Sequence, residues 1–214
     1  MIIAIDGPSG AGKSTIARGL AQTLGFAFMD TGAMYRAVTL ACLRAGVDVG
    51  DGEACAERTR SIAFAAGPDR TLLIDGAVPG LELRSDAVTA AVSEVSAHAA
   101  VRESVVRAQR ALAAGFGDVV VEGRDMTTVV FPDAELRVYL DASAAERARR
   151  RAEELGRMDE LEQIEADIRR RDAYDSSREV APLTRTAEQV HVETDGLAID
   201  AIIARLVELV GPER

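Results

Sequence analysis

The sequence predicts an α/β protein in which a five-stranded parallel sheet is flanked by helices. Three observations predict this fold class. A glycine-rich loop joins an apolar run to a helix-like segment at the N-terminus, five apolar runs alternate with helical segments, and polar clusters follow three of these runs. Alternating strands and helices form parallel sheets, and the ligands of such sheets gather at the carboxyl ends of the strands. We therefore expect the functional residues at that edge.

The first half of the chain divides at glycines and at changes of hydrophobic period. Ile16, Leu20 and Leu24, for example, recur at helical spacing. The predicted elements are a strand over 1–5, a helix ending at Gly25, a strand over 26–30, a helix from Thr31 to Gly46, a loop and short helix over 47–60, a hairpin over 70–78 that turns at Asp75 and Gly76, and one long helix over 89–114.

The second half continues the alternation of strands and helices. The predicted elements are strands over 118–121, 136–140 and 190–193, an arginine-rich helical stretch from Ser143 to about Ser177, and an amphipathic helix from Ile199 that Gly211 and Pro212 stop. The first of these strands delivers a polar cluster that begins at Glu122.

Length and composition exclude several classes of protein. A chain of 214 residues suits one domain, and a net charge of −10 excludes a basic nucleic-acid-binding body. Cys42 and Cys55, with no CxxC pair, argue against a disulfide framework or a zinc site. No apolar stretch reaches the ~20 residues that span a bilayer, and the N-terminus lacks a signal-peptide pattern. We expect a cytoplasmic monomer with no nucleic-acid and no membrane partner.

Residues 7–14 match the phosphate-loop pattern G-x-x-x-x-G-K-[ST], between a predicted strand and a predicted helix. Glycines let the backbone wrap a polyphosphate, and the helix N-terminus favours the anion. Lys13 is the only lysine in the chain, beside 24 arginines, which indicates chemistry that needs a compact ammonium. We expect Ser14 to ligate Mg²⁺. The candidate residues for binding a nucleoside triphosphate are Gly7, Pro8, Ser9, Gly10, Ala11, Gly12, Lys13, Ser14 and Thr15.

The arginines allow two interpretations. Arg147, Arg150 and Arg151 share a helix face, but residues 147–178 contain nine arginines and nine acidic residues, which is typical of a solvated helix pair laced with ion pairs. A phosphoryl transferase, however, must exclude water and stabilise negative charge, and an arginine-rich flap does both. Arg36 and Arg124 follow strand ends, where bidentate guanidinium groups suit an acceptor phosphate.

Four segments resemble the bacterial cytidylate kinases. They are DGPSGAGKST at 6–15, DTGAMYR at 30–36, EGRDMTTVVFPDA at 122–134 and RDAYDSSREVAPL at 171–183. The resemblance runs in order along essentially the whole chain, and the G-R-D block is more specific than the phosphate loop. It implies transfer of the γ-phosphoryl group of ATP to CMP or dCMP with Mg²⁺, by a P-loop kinase domain over 1–214. It also implies a monophosphate-binding insert at roughly 31–100 and a lid at roughly 147–168.

The resemblance also implies roles for individual residues. Arg36, Arg124 and Arg178 match positions that hold the acceptor phosphate, and Ser93, Arg102 and Asp125 match positions that read cytosine. Arg171 and Asp175 match sugar-contacting positions, and Thr31 and Tyr35 lie in the monophosphate site. Lys13, Arg124, Arg147 and Arg151 are the expected catalytic residues. From the residue type alone, the Asp125 carboxylate suits an exocyclic amino group, which cytosine has and uracil lacks.

Three positions depart from the family pattern, and three other functions compete with the kinase. Thr31, Glu122 and Thr127 stand where serine, aspartate and glycine are usual, and glycine at 127 would permit a positive φ. A kinase for shikimate, a sugar acid or another nucleotide is disfavoured by the G-R-D block. A GTPase switch is disfavoured because the chain has no asparagine for an N-K-x-D motif. The acidic charge disfavours a nucleic-acid-dependent ATPase.

Overall fold

A computed structural model describes residues 1–68 and 70–211. Within that part of the chain, the main sheet has five strands, all parallel, in the spatial order β2-β5-β1-β6-β7. The fold class predicted from the sequence is confirmed. The strands of this sheet are β1 (Ile2–Asp6), β2 (Ala27–Asp30), β5 (Val119–Gly123), β6 (Leu136–Asp141) and β7 (Val190–Glu193), and a separate pair is formed by β3 (Phe64–Ala66) and β4 (Leu72–Ile74).

Helices cover both faces of the sheet. They are α1 (Lys13–Leu24), α2 (Thr31–Arg44), α3 (Gly52–Arg60), α4 (Asp86–Val95), α5 (Ala99–Phe116), α6 (Ala144–Leu155), α7 (Leu161–Ser177) and α8 (Ile199–Val210). No helix among the described residues has the length and hydropathy needed to cross a membrane.

Strand alternation divides the hydrophobic core in two. Successive side chains of a strand point to opposite faces. Accordingly, Ile3 and Ile5 of β1 pack with α1 and α8, whereas Ala4 packs on the other face with α2 and α5. The central strands are buried on both faces, which is why their sequences are continuous apolar runs. This arrangement holds the carboxyl ends of β1, β2 and β5 side by side.

The prediction of one long helix over 89–114 is wrong, because the chain forms two helices there, α4 and α5. His98 has extended backbone angles of φ −65° and ψ 121°, and its imidazole hydrogen-bonds to the Val49 carbonyl at 2.7 Å. The break allows both Val95 and Val101 to be fully buried, although a spacing of six residues would place them on different faces of one continuous helix.

The hairpin predicted over 70–78 is only partly correct. The turn at Asp75 and Gly76 exists, with φ of 51° and 80°, but it closes a single bridge between Ile74 and Ala77. The main partner of β4 is β3, which pairs with it in antiparallel register from Phe64↔Ile74. β3 was missed because its residues are half-buried or exposed and show no alternation.

The other elements agree with the sequence to within a few residues. Ser143 caps α6, its hydroxyl accepting a hydrogen bond from the Glu146 N–H at 3.2 Å. The arginine-rich stretch consists of α6 and α7, joined by a 3₁₀ turn at Met158–Glu160. These two helices share a small core of Ala148, Ala152, Ile164 and Ile168. Arg178 lies just past α7, in extended backbone, and Pro212 lies outside the described residues.

Candidate active site

The phosphate loop has the strained backbone that its glycines predict. Gly7, Gly10 and Gly12 have φ of 152°, 82° and 85°, and α1 begins directly after Gly12. A Cβ atom on Gly7 would lie 2.1 Å from the Leu140 carbonyl oxygen. Only glycine therefore allows β1 and β6 to run this close beneath the loop. The loop presents backbone N–H groups and a helix N-terminus to the space above the sheet, as an anion site requires.

Lys13 is almost fully buried at the start of α1. Its ammonium group donates a hydrogen bond to the Pro8 carbonyl at 2.7 Å, which leaves further N–H donors for a ligand. Burial, reinforced by the guanidinium of Arg124, lowers the pKa of Lys13 to about 7. A polyphosphate bound here would restore the charged ammonium, because an opposite charge favours it.

Glu122, at the end of β5, lies beside the same group. Burial and the neighbouring Asp30 raise its pKa to about 7, against the opposing influence of Lys13 and of a hydrogen bond with Ser14. One carboxylate oxygen, Oε1, is buried without a hydrogen-bond partner among the described residues. The sequence marked Glu122 as the start of a polar cluster after a strand and as a departure from the family pattern, but it gave the residue no role.

The donor set around Ser14 and Glu122 fits Mg²⁺ that is shared with phosphate groups. Mg²⁺ is usually held by one or two protein oxygens, waters and substrate phosphates rather than by a full protein cage. The unpartnered Oε1 of Glu122 and the adjacent Ser14 hydroxyl supply such oxygens. Across residues 1–68 and 70–211, no cluster of three or more His, Cys, Asp or Glu side chains could hold a metal ion by itself.

A buried pair lies where the base-reading residues were expected. Arg102 of α5 forms an ion pair with Asp125, which follows β5, and both side chains are almost fully buried. Arg102 also donates to the Tyr35 hydroxyl at 3.3 Å, and its guanidinium lies 5.9 Å from the centre of the Tyr35 ring. Burial raises the pKa of Tyr35, which keeps the phenol protonated. The three residues form one polar cluster.

The structure does not bring Ser93 into that cluster. Ser93 is half-buried on α4, and within the described chain its only hydrogen bond outside the helix ladder is from the Ser96 hydroxyl to its carbonyl at 3.0 Å. Its predicted contact with a base stays a prediction.

A group of arginines lies next to this cluster, and we call the space between Arg36, Arg124, Arg171 and Arg178 the cleft. Arg124 donates to the Asp175 carboxylate at 3.0 Å. Burial and the charge of Arg124 lower the pKa of Arg171 to about 10. Burial also lowers the pKa of Arg178. Nε of Arg171 and Nη2 of Arg178 are buried N–H donors without a partner in the part of the chain that the structure describes. Buried unpaired donors are costly, so these two point to an anion that the cleft is built to receive.

Arg36 and Thr31 lie on α2, at the edge of the same cleft. One terminal nitrogen of Arg36 donates to the Leu83 carbonyl and to the Thr89 hydroxyl, each at 3.0 Å. Burial, with the nearby Arg84, lowers the pKa of Arg36 to about 10. The Thr31 hydroxyl donates to the Glu122 carbonyl at 2.5 Å. Thr31 thus ties α2 to β5, and its hydroxyl is already engaged.

The arginines of the stretch over α6 and α7 lie in two kinds of surroundings. The exposed faces of α6 and α7 carry short-range ion pairs such as Arg149–Glu153 and Arg169–Glu165. Arg147, in contrast, is buried, donates to the Ser9 carbonyl at 3.0 Å and pairs with Asp172 at 2.6 Å. It therefore contacts the phosphate loop directly.

The other two arginines of the predicted face differ from Arg147. Arg151 pairs with Glu154 at 2.8 Å near the surface, and Arg150 donates to Thr194 of the segment after β7. The arginine spacing predicted a shared face, but it did not distinguish the buried member from the others.

Sequence reasoning missed two features of the site. Asp6 is fully buried and accepts hydrogen bonds from the N–H groups of Met126 and Thr127, each at 2.8 Å. Thr89 supports Arg36 from α4. A carboxylate at the end of β1 was a visible signal for Asp6, whereas nothing in the sequence marks Thr89.

Comparison with known proteins identifies the family. A family model described as cytidylate kinase matches residues 3–211. A cytidylate kinase of Rhodococcus opacus (strain B4) is 50% identical over 216 residues, covering 98% of this chain and 94% of the relative. One of Mycobacterium leprae (strain Br4923) is 46% identical over 213 residues, covering 98% and 95%. The crystal structure of TT1252 from Thermus thermophilus shares the fold, with a TM-score of 0.53, 18% identity and coverage of 100% and 98%. The chain belongs to the cytidylate kinase family.

Proposed function

We propose that this chain transfers the γ-phosphoryl group of ATP to CMP or dCMP, giving ADP and CDP or dCDP, as a monomer in pyrimidine nucleotide metabolism. The observation that carries the proposal is the buried Arg102–Asp125 pair beside Tyr35, at the same sheet edge as the phosphate loop. A carboxylate accepts a hydrogen bond from the amino group of cytosine, whereas uracil would set a carbonyl oxygen against it. Ser93 is proposed to complete this base site.

The acceptor phosphate is assigned to the arginine group. Arg36, Arg124 and Arg178 surround it, and guanidinium groups suit bidentate contact with phosphate. The unpartnered Nη2 of Arg178 supports the assignment. Arg171 and Asp175 are assigned to the sugar, next to Arg124.

The donor is assigned to the phosphate loop over residues 7–15. Lys13 and the loop amides neutralise its phosphate oxygens, and Ser14 with Glu122 would hold Mg²⁺. When bound, Mg²⁺ supplies positive charge at the phosphate oxygens. Arg147, already in contact with the loop at Ser9, and Arg151 shield the transferring group from water. No general base is required, because the acceptor is an anion, so positioning and charge stabilisation carry the rate.

A coupled assay of ADP release with ATP and Mg²⁺ tests the proposal. The acceptors are CMP, dCMP, UMP, AMP and shikimate, and the variants are Asp125→Asn and the matched control Asp133→Asn, an exposed carboxylate of the same loop. We expect CMP and dCMP to lead, and Asp125→Asn alone to lose the preference over UMP. Phosphorylation of another acceptor while CMP is inert would overturn the proposed substrate.

A further inference from the structure

A buried hydrogen-bond network lies beneath the loop that carries Asp125. Besides the two N–H groups described above, the Asp6 carboxylate accepts a hydrogen bond from the Thr127 hydroxyl at 2.6 Å. That hydroxyl in turn accepts a hydrogen bond from the side-chain amide of Gln189. The amide oxygen of Gln189 accepts one from the Thr186 N–H at 2.7 Å. Asp6, Thr127 and Gln189 are all buried, so water does not replace these bonds.

The Thr127 hydroxyl is the centre of this network. A hydroxyl has one proton to donate. It is donated to Asp6, so the oxygen is free to accept from Gln189. Residue 127 is also the position where the family pattern led us to expect glycine. Within the described residues, positive φ outside glycine occurs at Arg70, Asp75 and Ala181, so this loop does not use the backbone freedom of glycine at 127. It uses a side chain instead.

The network connects the two halves of the site. Asp6 immediately precedes Gly7 of the phosphate loop, and Met126 immediately follows Asp125. The Asp6 carboxylate therefore fixes the start of one loop against the peptide next to the other. The loop after Asp125 is a π-helical turn over Met126–Val130. Hydrogen bonds from the N–H groups of Val129 and Val130 to the Asp125 carbonyl close it.

We propose that Thr127, together with Gln189, is a positioning residue that holds the Asp125 carboxylate in register with the phosphate loop and thereby sharpens the choice of cytosine over uracil. The proposal rests on the proposed function, because it takes Asp125 as the group that contacts the base. A small displacement of a hydrogen-bonding carboxylate weakens its bond to the correct base. It also relieves the repulsion of the wrong base, so selectivity falls before the rate does.

Four variants test this role. Thr127→Val keeps the shape but removes the hydroxyl, and Thr127→Ser keeps the hydroxyl. Gln189→Leu removes the donor on the far side. Thr59→Val is the matched control, since the buried Thr59 hydroxyl donates to the Cys55 carbonyl within α3, at 2.9 Å, and takes no part in this network. Each is assayed for kcat and KM with CMP and with UMP, and for amide hydrogen exchange of residues 124–131 in the unliganded protein.

The expected pattern is a loss of selectivity with retained turnover. Thr127→Val should lower the CMP-to-UMP ratio of kcat/KM about tenfold, mainly through KM for CMP, as the loss of one buried hydrogen bond predicts. Exchange over 124–131 should accelerate. Thr127→Ser and Thr59→Val should keep the CMP-to-UMP ratio within about twofold of the wild type, because neither variant removes a hydrogen bond of this network. Gln189→Leu should shift the ratio in the same direction. When Thr127→Val and Gln189→Leu are combined in one protein, the fall in the ratio should be less than the two single effects together predict.

The opposite outcomes overturn the proposal. They are an unchanged CMP-to-UMP ratio of kcat/KM in Thr127→Val, an equally large fall of that ratio in Thr127→Ser, or a fall in kcat that is the same for both acceptors. Gln189→Leu leaves Thr127 in place, so it decides the matter if Thr127→Val does not fold. A wild-type enzyme without preference for CMP overturns the proposed function instead. In that case, the exchange measurement still decides whether Thr127 anchors the loop.

Discussion

At the scale of single residues, burial determines the chemistry of Lys13. A buried ammonium loses hydration and becomes easier to deprotonate, and Lys13 accordingly has a pKa of about 7. Its bond to the Pro8 carbonyl aims the group along the loop. An arginine at this position would place a larger, planar guanidinium among the neighbouring charged side chains of Glu122, Arg124 and Arg171. This accounts for the presence of one lysine in a chain that otherwise uses arginine.

We predict that Lys13→Arg and Lys13→Met each lower kcat/KM with CMP by about 100-fold or more, the usual cost of removing one preorganised charge-stabilising donor. Lys13→Met has a similar length without the charge, so it separates charge from shape. Arg18→Lys, on the exposed face of the same helix, is the control and should retain activity. Wild-type activity in Lys13→Arg would show that a compact ammonium is not required.

Gly7 gives a second prediction at this scale. A Cβ atom at Gly7 would overlap the Leu140 carbonyl oxygen, so Gly7→Ala should lower the free energy of unfolding by about 3 kcal/mol or more, combining overlap with backbone strain. Gly46→Ala is the matched control. Gly46 has φ of 66°, but its added Cβ would meet no atom within 4 Å among the described residues other than its own chain neighbours. Its cost should be about 1 kcal/mol. Equal costs in urea denaturation would contradict the clash.

At the scale of elements, α6 and α7 form a unit that is only loosely joined to the rest of the core. Their shared cluster of Ala148, Ala152, Ile164 and Ile168 is separate from the two clusters that pack on the sheet. Arg147 connects the unit to the phosphate loop through the Ser9 carbonyl. The small size of this cluster suits an element that opens and closes over a ligand, because regions with few apolar contacts unfold locally at low cost.

We predict that Ile168→Ala loosens this helix pair without loosening the sheet. Truncating a buried isoleucine costs about 2–5 kcal/mol, and here the cost should appear as faster amide exchange over residues 144–177. The control is Ile202→Ala in α8, whose side chain packs against the sheet in a separate cluster. This control variant should accelerate amide exchange in β1, β6 and α1 instead. Uniform acceleration along the chain in Ile168→Ala would contradict a separate unit.

At the scale of the whole molecule, the site makes stability depend on pH. The pKa of Glu122 is raised from its ordinary value of 4.5 to about 7 by burial and by Asp30. The folded protein therefore binds a proton that the unfolded chain has released between these pH values. The stabilisation from this group is complete below pH 4.5 and is lost as pH rises through about 7. A charged active site is thus maintained at a cost in fold stability.

We predict that Glu122→Gln removes this dependence. The measured quantity is the stability difference, the free energy of unfolding of the wild type minus that of the variant. At low ionic strength this difference should fall by about 3 kcal/mol between pH 4.5 and 7.5, which corresponds to the shift of the Glu122 pKa. Burial raises the pKa of Asp6 to about 6. Asp6 is present in both proteins, so its contribution to the pH dependence largely cancels in the difference. A difference that stays flat or rises over this range, measured by urea denaturation, would be inconsistent with a protonated Glu122.

The sequence by itself determined the features that depend on neighbours along the chain. The phosphate loop was predicted between β1 and α1, where it lies, because the glycines, the helix N-terminus and Lys13 are all specified within eight positions. The strands of the sheet were predicted to within a few residues, because burial on both faces produces uninterrupted apolar runs. The capped start of α6 at Ser143 was predicted for the same local reason.

Tertiary structure alone decided which distant groups meet and in what state of charge. Asp6 bonds to Thr127 across 121 positions of sequence, and Arg102 meets Asp125 only because α5 packs against the turn Met126–Val130 that follows Asp125. The break between α4 and α5 depends on the contact of His98 with Val49. Lys13 and Glu122 acquire pKa values near 7 through burial that no local pattern encodes. Hydrophobic period and turn chemistry are local properties of a chain, whereas desolvation and long-range pairing exist only once the chain has packed.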